Sequence, residues 1–248
     1  MYFQRFPFVN YNFGNNEADT IFPNITAYID IVDQIKDEVA FYEKYTILDG
    51  DRPDIVSQKL YDTPDYHWTF FFMNDGLRES GWPLSEREMR ALVKKRYPHR
   101  TVTTQSNIAS NFLPGDFVIG KTSGTTGRVV ERNLDLGQIV IASDKNDAGL
   151  NNNFGQTEQI AAGTTAEEQA ANTATLISES QQFNAPLYYK NSSGDIVDID
   201  PYNQTTSGLV PTTIMEDNIN FNDKLKEITV IKPSRIISVV SEYFKLLK

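Results

Sequence analysis

Three stretches of the chain carry residue types whose spacing could support chemistry. Gly115–Thr122 reads GDFVIGKT, two glycines enclosing four residues and followed by Lys-Thr, the spacing of a phosphate-binding loop. Such a loop works only when a strand leads in and a helix leads out, so that backbone N–H groups and the helix dipole converge on the anion. Here the enclosed Phe117-Val118-Ile119 is itself a strand pattern, and the following Ser123-Gly124-Thr125-Thr126-Gly127 is turn chemistry. The spacing predicts a hairpin, not a nucleotide site. Asp144, Asn146 and Gly149 echo a calcium loop, but the fifth ligand position falls on Ala148 and the twelfth on Gly155, where a Glu is needed. That stretch reads as an exposed loop tip. His67 and His99 are the two histidines. Ser57 could be matched with His67, yet no nucleophile-elbow context surrounds either, and His67 reads as a packed or interface residue. The absence of Cys removes disulfides, thiolate ligands and thiol nucleophiles together. No two carboxylates stand in apolar surroundings that would drive their pKa values apart. The residues point to no catalytic, metal or cofactor site.

What remains is recognition. Arg52-Pro53-Asp54 can hold a turn, with Pro53 opening a helix and Asp54 in its first turn, or can offer Arg52 to a neighbour. Trp68 and Trp82 are candidates for module packing or for interface anchors. The chain has 248 residues and a formal net charge of −10, which disfavours nucleic-acid and anionic-membrane partners, both of which need clustered Lys and Arg. No run of about 18 apolar residues exists to span a bilayer, and the N-terminus, MYFQRFPFVNYNFGNN, lacks the apolar centre of a signal peptide. Aromatics make up 12% of the chain and crowd into residues 2–13, 41–45 and 61–82.

The elements that must position these residues follow from patterning. Residues 1–20 show no sustained period and read as an arm, whose Tyr2, Phe3, Phe6 and Phe8 need a neighbouring subunit or the arm's own domain to cover them. Ile25–Ile31 alternates as a strand. Tyr45–Leu48 is a second short strand, stopped by the Asp49-Gly50-Asp51 turn. A helix follows from Pro53, with Ile55, Val56, Lys59 and Leu60 as its stripe, and Asp62-Thr63-Pro64 ends it. Asp65 can cap a second helix over the apolar run Tyr66–Met73, which Asn74-Asp75-Gly76 stops. Ser85 with Glu88 is a capping box for a helix that ends at Pro98, with Met89, Leu92 and Val93 inward. Residues 101–112 read as polar linker. Three short strands, 117–119, 128–131 and 138–141, suggest a small antiparallel sheet or barrel. Thr164–Thr175 is a weak helix pattern. Residues 187–189 and 196–199 form a hairpin, and 201–213 reads as loop. The chain closes with a strand at 228–231 and an amphipathic helix over Ser234–Leu247, whose inner face holds Ile236, Val239, Val240, Tyr243 and Phe244.

The order strand, helix, helix resembles a LysM module, and the wording is more specific. Asp49-Gly50-Asp51-Arg52-Pro53-Asp54, Leu60-Tyr61, His67-Trp68, Asn74 and Gly81-Trp82-Pro83-Leu84-Ser85 resemble the baseplate wedge protein family of T4-like phages, the gene product fifty-three type. The resemblance covers roughly residues 20–100 and resumes at the C-terminus. It implies an α+β fold in which a LysM-like strand-helix-helix module carries an inserted small antiparallel β region, an extended N-terminal arm and a C-terminal amphipathic helix. The expected segments are 1–40 (arm and first strand), 41–100 (module plus following helix), 101–215 (β-rich insertion) and 216–248 (final strand and helix). Strand 228–231 is expected to pair with strand 44–48, completing the module from the far end of the chain.

The resemblance implies a structural subunit of a contractile-tail baseplate wedge that bridges wedge components and joins adjacent wedges. It would reside in the virion, in several copies around the tail axis, after assembly in the host cytoplasm. The implied partners are helical wedge-core subunits, the lysozyme-fold sheath-connecting protein and the central hub. Interface candidates are Tyr2, Phe3, Phe6 and Phe8 of the arm, Arg52, Trp82, and Tyr243 and Phe244 of the last helix. The Gly/Thr-rich insertion departs from the family, and no family contact carries over to it. Two rival readings stand: a LysM-type glycan-binding component of a tail lysin or cell-wall-binding protein, using Asp49 and Asp51 at the turn, and an adaptor of a contractile injection system other than a virion.

Overall fold

The computed structural model describes residues 8–12, 14, 19–24, 41–143, 153–203 and 206–246. The strand expected over Ile25–Ile31, the arm residues Tyr2, Phe3 and Phe6, the calcium-like positions 144–149 and Leu247 lie outside the described residues. The fold is α+β. It divides into two compact units: residues 1–86 with 221–248, and residues 87–220.

The first unit begins with a hairpin, β1 (Phe8–Tyr11) against β2 (Thr20–Pro23), in the register Phe8 to Pro23 through Tyr11 to Thr20. Phe8 is therefore in a strand and not in an irregular arm. Every residue of both strands is exposed. With neither face turned to a core, nothing imposes the alternation by which a strand is read.

The centre of this unit is a two-stranded antiparallel sheet, β3 (Tyr42–Thr46) against β13 (Glu227–Ile231), from opposite ends of the chain. This is the pairing that the sequence leads one to expect. Helix α1 (Pro53–Tyr61) starts on proline, and Arg52 at its N-cap makes no side-chain capping bond. Its inner face is Val56, Ser57 and Tyr61. Ile55, expected inward, is 41% exposed, because the buried face is centred one step further round the helix. Asp62 ends α1 in the left-handed region at φ 58°, and the Ser57 hydroxyl donates to Thr63 O at 2.7 Å. Thr63, not Asp65, caps the 3-10 turn Pro64–Tyr66, its Oγ1 accepting from Asp65 N. Helix α2 (Trp68–Met73) then buries Thr69, Phe70, Phe72 and Met73.

Asn74 ends α2 as the Asn74-Asp75-Gly76 signal predicts, and a further short helix follows at once. Asn74 takes an extended conformation for one residue, and the chain resumes as α3 (Asp75–Ser80). The reason lies in the Asn74 amide. Its Nδ2 donates to Phe70 O and to Thr229 O, both at 2.8 Å, and its Oδ1 accepts from Thr229 N at 2.8 Å. Thr229 sits in β13 with its peptide groups turned away from β3, so Asn74 acts as a third strand one residue long. Next to it the Tyr61 hydroxyl donates to Ile231 O at 2.9 Å, and burial pushes that phenol well above the usual tyrosine range. The sheet edge is thus satisfied by side chains.

Against this sheet pack Ile47, Val56, Phe70, Phe72, Leu77, Ile228, Val230 and, from α7 (Ile236–Leu246), Ile236, Val239, Val240 and Tyr243. The chain leaves this unit at the start of α4 (Glu86–Arg96) and returns within α6 (Ile214–Lys226). Asn222 and Lys226 lie on α6, a helix that the sequence pattern does not show. They also tie the stem. Buried Asn222 accepts from Leu84 N and donates to Leu84 O, both at 2.9 Å. Asp49 Oδ1 accepts from Glu86 N at 3.0 Å and from Lys226 Nζ at 3.2 Å.

The second unit is a closed six-stranded antiparallel barrel. Its strands are β4 (Arg100–Thr104), β5 (Phe117–Gly120), β6 (Thr126–Asn133), β7 (Gln138–Ser143), β8 (Gln159–Ala162) and β9 (Thr173–Gln181), in the order β4-β7-β6-β5-β8-β9 with β9 closing on β4. Three hairpin-joined strands with β4 beside the last of them make a Greek key. The expected linker at 101–112 is a correction. Its first part is β4, with Thr101, Val102 and Thr104 buried, and its threonines are good strand formers that composition reads as loop. The remainder folds over the barrel, with Ile108 and Phe112 in the core and Arg132 Nη1 donating to the carbonyls of Ile108, Ala109 and Asn111. Helix α5 (Ala166–Ala171) is shorter than the pattern, started by a Thr165/Glu168 capping box. A second sheet joins β10 (Pro186–Lys190) to β11 (Ile196–Val197) and to β12 (Val210–Thr213). The last of these lies where loop was expected.

Replacing Asn74 with Ala removes three bonds and strands both peptide groups of Thr229, at a cost of about 2–4 kcal/mol. Trp68 and Trp82 are the chain's two tryptophans and both lie in the first unit. The expected outcome is a lower urea midpoint by tryptophan fluorescence, with the native spectrum retained before the transition.

Candidate docking surfaces

The phosphate-loop-like segment folds as β5, a turn and the start of β6, as its bulky interior dictates. The turn's amides already hold an anion. Glu158, 6% exposed, accepts from Thr122 N at 3.1 Å, Ser123 N at 2.9 Å, the Ser123 hydroxyl at 2.9 Å and Gly155 N at 2.5 Å. A Cβ on Gly120 would lie 2.7 Å from Glu158 Oε1. Glycine at this position of the motif thus makes room for the protein's own carboxylate, and the nest that could take a phosphate is filled.

Ser57 is buried and bonded to the chain. His67 is exposed, with Nδ1 2.9 Å from Pro64 O, so it is a surface residue and not a packed one. Among the described residues no group of three His, Cys, Asp or Glu side chains could hold a metal, and no helix is long and apolar enough to cross a membrane. The barrel interior is filled by apolar side chains, among them Val102, Phe112, Ile139 and Phe154.

The interface candidates separate into two kinds. Arg52 is exposed and pairs with Asp54 at 2.5 Å; this hydrogen bond holds the Asp54 carboxyl below its ordinary range. Nothing in the core depends on the Arg52 side chain, so it is available to a neighbour. Phe8, 68% exposed, is equally available. Trp82 is half-buried. Its Nε1 donates to Asp51 O at 2.7 Å, and its ring lies 5.9 Å from Phe70 and from Phe71. It fastens the Asp49–Asp51 turn to α2. Tyr243 is a correction: at 1% exposure, packed on Trp68, Phe72 and Phe244, it belongs to the core and has no surface to offer. Phe244 is half-buried beside Trp68.

Patterning missed the residues on which the module closes: Asn74, Asn222 and Asp49. Each looks like turn or surface chemistry, and only the partner, some 40 to 160 residues away, gives it a role. The hairpin was also missed. It presents Phe8, Val9, Tyr11, Ile21 and Phe22 at 40–68% exposure, with no charged residue in either strand. A two-stranded ribbon is marginal by itself, and uncharged strand edges invite pairing.

No protein-family model and no curated protein matches this chain.

Two measurements check this partition. Arg52→Ala leaves the fluorescence-detected unfolding transition in place, whereas Trp82→Ala lowers stability by about 2–3 kcal/mol. Glu158→Ala strands three backbone N–H donors in the second unit and costs about 2–4 kcal/mol. Amide exchange should accelerate across β5, β6 and β8, and added phosphate should give at most weak protection.

Proposed function

We propose that this protein is a non-enzymatic structural subunit of a contractile-tail baseplate wedge, built on a LysM-like module, which bridges wedge components and joins adjacent wedges. The observation that carries the reading is the convergence of the residues that resemble the wedge family. Asp49 and Asp51 in the turn, Trp82 and Leu84 after the helices, and Asn74 between them come together in one strand-helix-helix-strand unit through the bonds Trp82–Asp51, Asp49–Glu86 and Asn74–Thr229. The exposed apolar hairpin supports a role in assembly, since five large side chains in water favour burial against a partner. The partners on this reading are helical wedge-core subunits, the lysozyme-fold sheath-connecting protein and the central hub.

The glycan reading draws less support. A LysM-type site would use the turn between β3 and α1, but Asp49 is engaged with Glu86 N and Lys226, and Asp51 with Lys59 and Trp82. The turn's polar groups are spent on holding the unit together.

The test is co-expression with helical wedge-core and lysozyme-fold sheath-connecting proteins of a contractile tail. The expected result is one complex containing all three, lost on combining Phe8→Asp with Phe22→Asp, and no retention of the chain on purified peptidoglycan. A chain that sediments with peptidoglycan and ignores the tail proteins overturns the proposal.

A further inference from the structure

Helix α4 is the basic element of an acidic chain. It carries Arg87, Arg90, Lys94, Lys95 and Arg96 against Glu86 and Glu88, in a protein of net charge −10. Val93 is its buried residue. Leu92, next to it, is 39% exposed, and at helical spacing it is flanked by Lys95 and Arg96. Neither of those cations has an ion-pair partner among the described residues. The helix face is a leucine rimmed by two free positive charges.

The same unit holds a surface of the opposite character. A cleft of about 440 Å³ opens between the β6–β7 turn and the β10–β11 hairpin. Its walls include Leu136, Leu187, Ile196 and Pro201, and Asp135 and Asp198 line it. Ile196 is 64% exposed and Leu187 39%. Asp135 and Asp198 are exposed, and neither has a cationic partner among the described residues.

The helix and the β6–β7 side of the cleft adjoin different ends of one barrel strand. β4 begins at Arg100, paired with Gln181 and Ile141, and ends at Thr104, whose N–H donates to Gly137 O. Helix α4 precedes the first of these residues, and the β6–β7 turn that lines the cleft lies beside the last. Within one copy the two surfaces leave each other's charges unpaired: no ion pair joins Lys95 or Arg96 to Asp135 or Asp198 among the described residues.

We infer that the α4 face of one copy docks into the β6–β7/β10–β11 cleft of a second copy, with Leu92 against the apolar walls and Lys95 and Arg96 against Asp135 and Asp198. Two charges and an apolar plug on one side meet two opposite charges and the exposed Leu187 and Ile196 side chains on the other. Because donor and acceptor are different surfaces, the contact is head to tail. Each copy gives its helix to one neighbour and its cleft to the other, which builds a ring or a filament and not a two-fold dimer. The inference goes beyond the wedge assignment and does not rest on it, since it concerns copies of this chain alone.

The experiment is sedimentation equilibrium on the full chain at low and high salt, with two charge-reversed variants, Lys95→Glu with Arg96→Glu, and Asp135→Lys with Asp198→Lys. Circular dichroism matched to the parent protein confirms that each variant is folded. Wild-type chain should associate reversibly at low salt and dissociate as salt screens the pairs. Each variant alone should lose at least tenfold in association constant, and an equimolar mixture of the two should regain it, since each reversed face then meets its complement. Leu92→Ser should weaken association without touching the charges. A wild-type chain that stays monomeric at every concentration overturns the inference. So does association that ignores salt, or that survives in both variants.

Discussion

A two-stranded sheet cannot close its own hydrogen-bond account, and the first unit of this protein is organised around that shortage. β3 satisfies one edge of β13 and leaves the other facing the helices, where water is excluded. The unit meets the demand with side chains: the Asn74 amide takes both peptide groups of Thr229, and the Tyr61 hydroxyl takes the carbonyl of Ile231. An asparagine amide suits this position because it carries a donor and an acceptor side by side, as a peptide group does. The same device appears at the stem, where Asn222 addresses both polar groups of Leu84. Short helices, a minimal sheet and a large insertion coexist because these amides do what further strands would otherwise do.

The two units show complementary ways of handling buried polarity. In the first, neutral amides meet backbone. In the second, a charged carboxylate does: Glu158 gathers N–H groups from two turns, and Arg132 gathers three carbonyls of the segment over the barrel. The Gly-Lys-Thr turn illustrates how a motif and its usual chemistry part company. The amides converge as the spacing suggests, but the anion they were shaped for is supplied from within. Chemistry that looks free in the sequence is consumed in structure, and what is left over lies on surfaces: an uncharged ribbon, an exposed arginine, a basic helix and an acidic cleft.

Much of this was legible in the chain. Pro53 and the Asp49-Gly50-Asp51 turn mark the strand-to-helix passage, the alternation at Ile228 and Val230 marks β13, and its pairing with β3 follows from the resemblance. Local pattern failed where two signals overlap. Thr101–Thr104 reads as linker because threonine is polar, although its branched Cβ suits a barrel strand. Asn222 and Lys226 lie on a helix whose moderate polarity hid it. Tyr243 looks like an anchor by type and is a core residue by position, since an amphipathic helix does not announce how wide its buried stripe is. Asn74 reads as a stop signal, and it is one; its bonds to Thr229, 155 positions away, lie beyond any window on the sequence.

The separation of β3 from β13 also fixes an order of events during synthesis. Every strand of the barrel lies between Arg100 and Gln181, so all of them have left the ribosome while β13 is still unmade. Until residue 231 emerges, Phe70, Phe72 and Val56 have half of their core missing, and β3 has no strand to pair with. The early helices must therefore wait, their apolar faces uncovered, for a strand near the C-terminus. A folded insertion eases the pairing that follows, because a compact barrel holds the two ends of a long intervening segment closer together than a coil of the same length would.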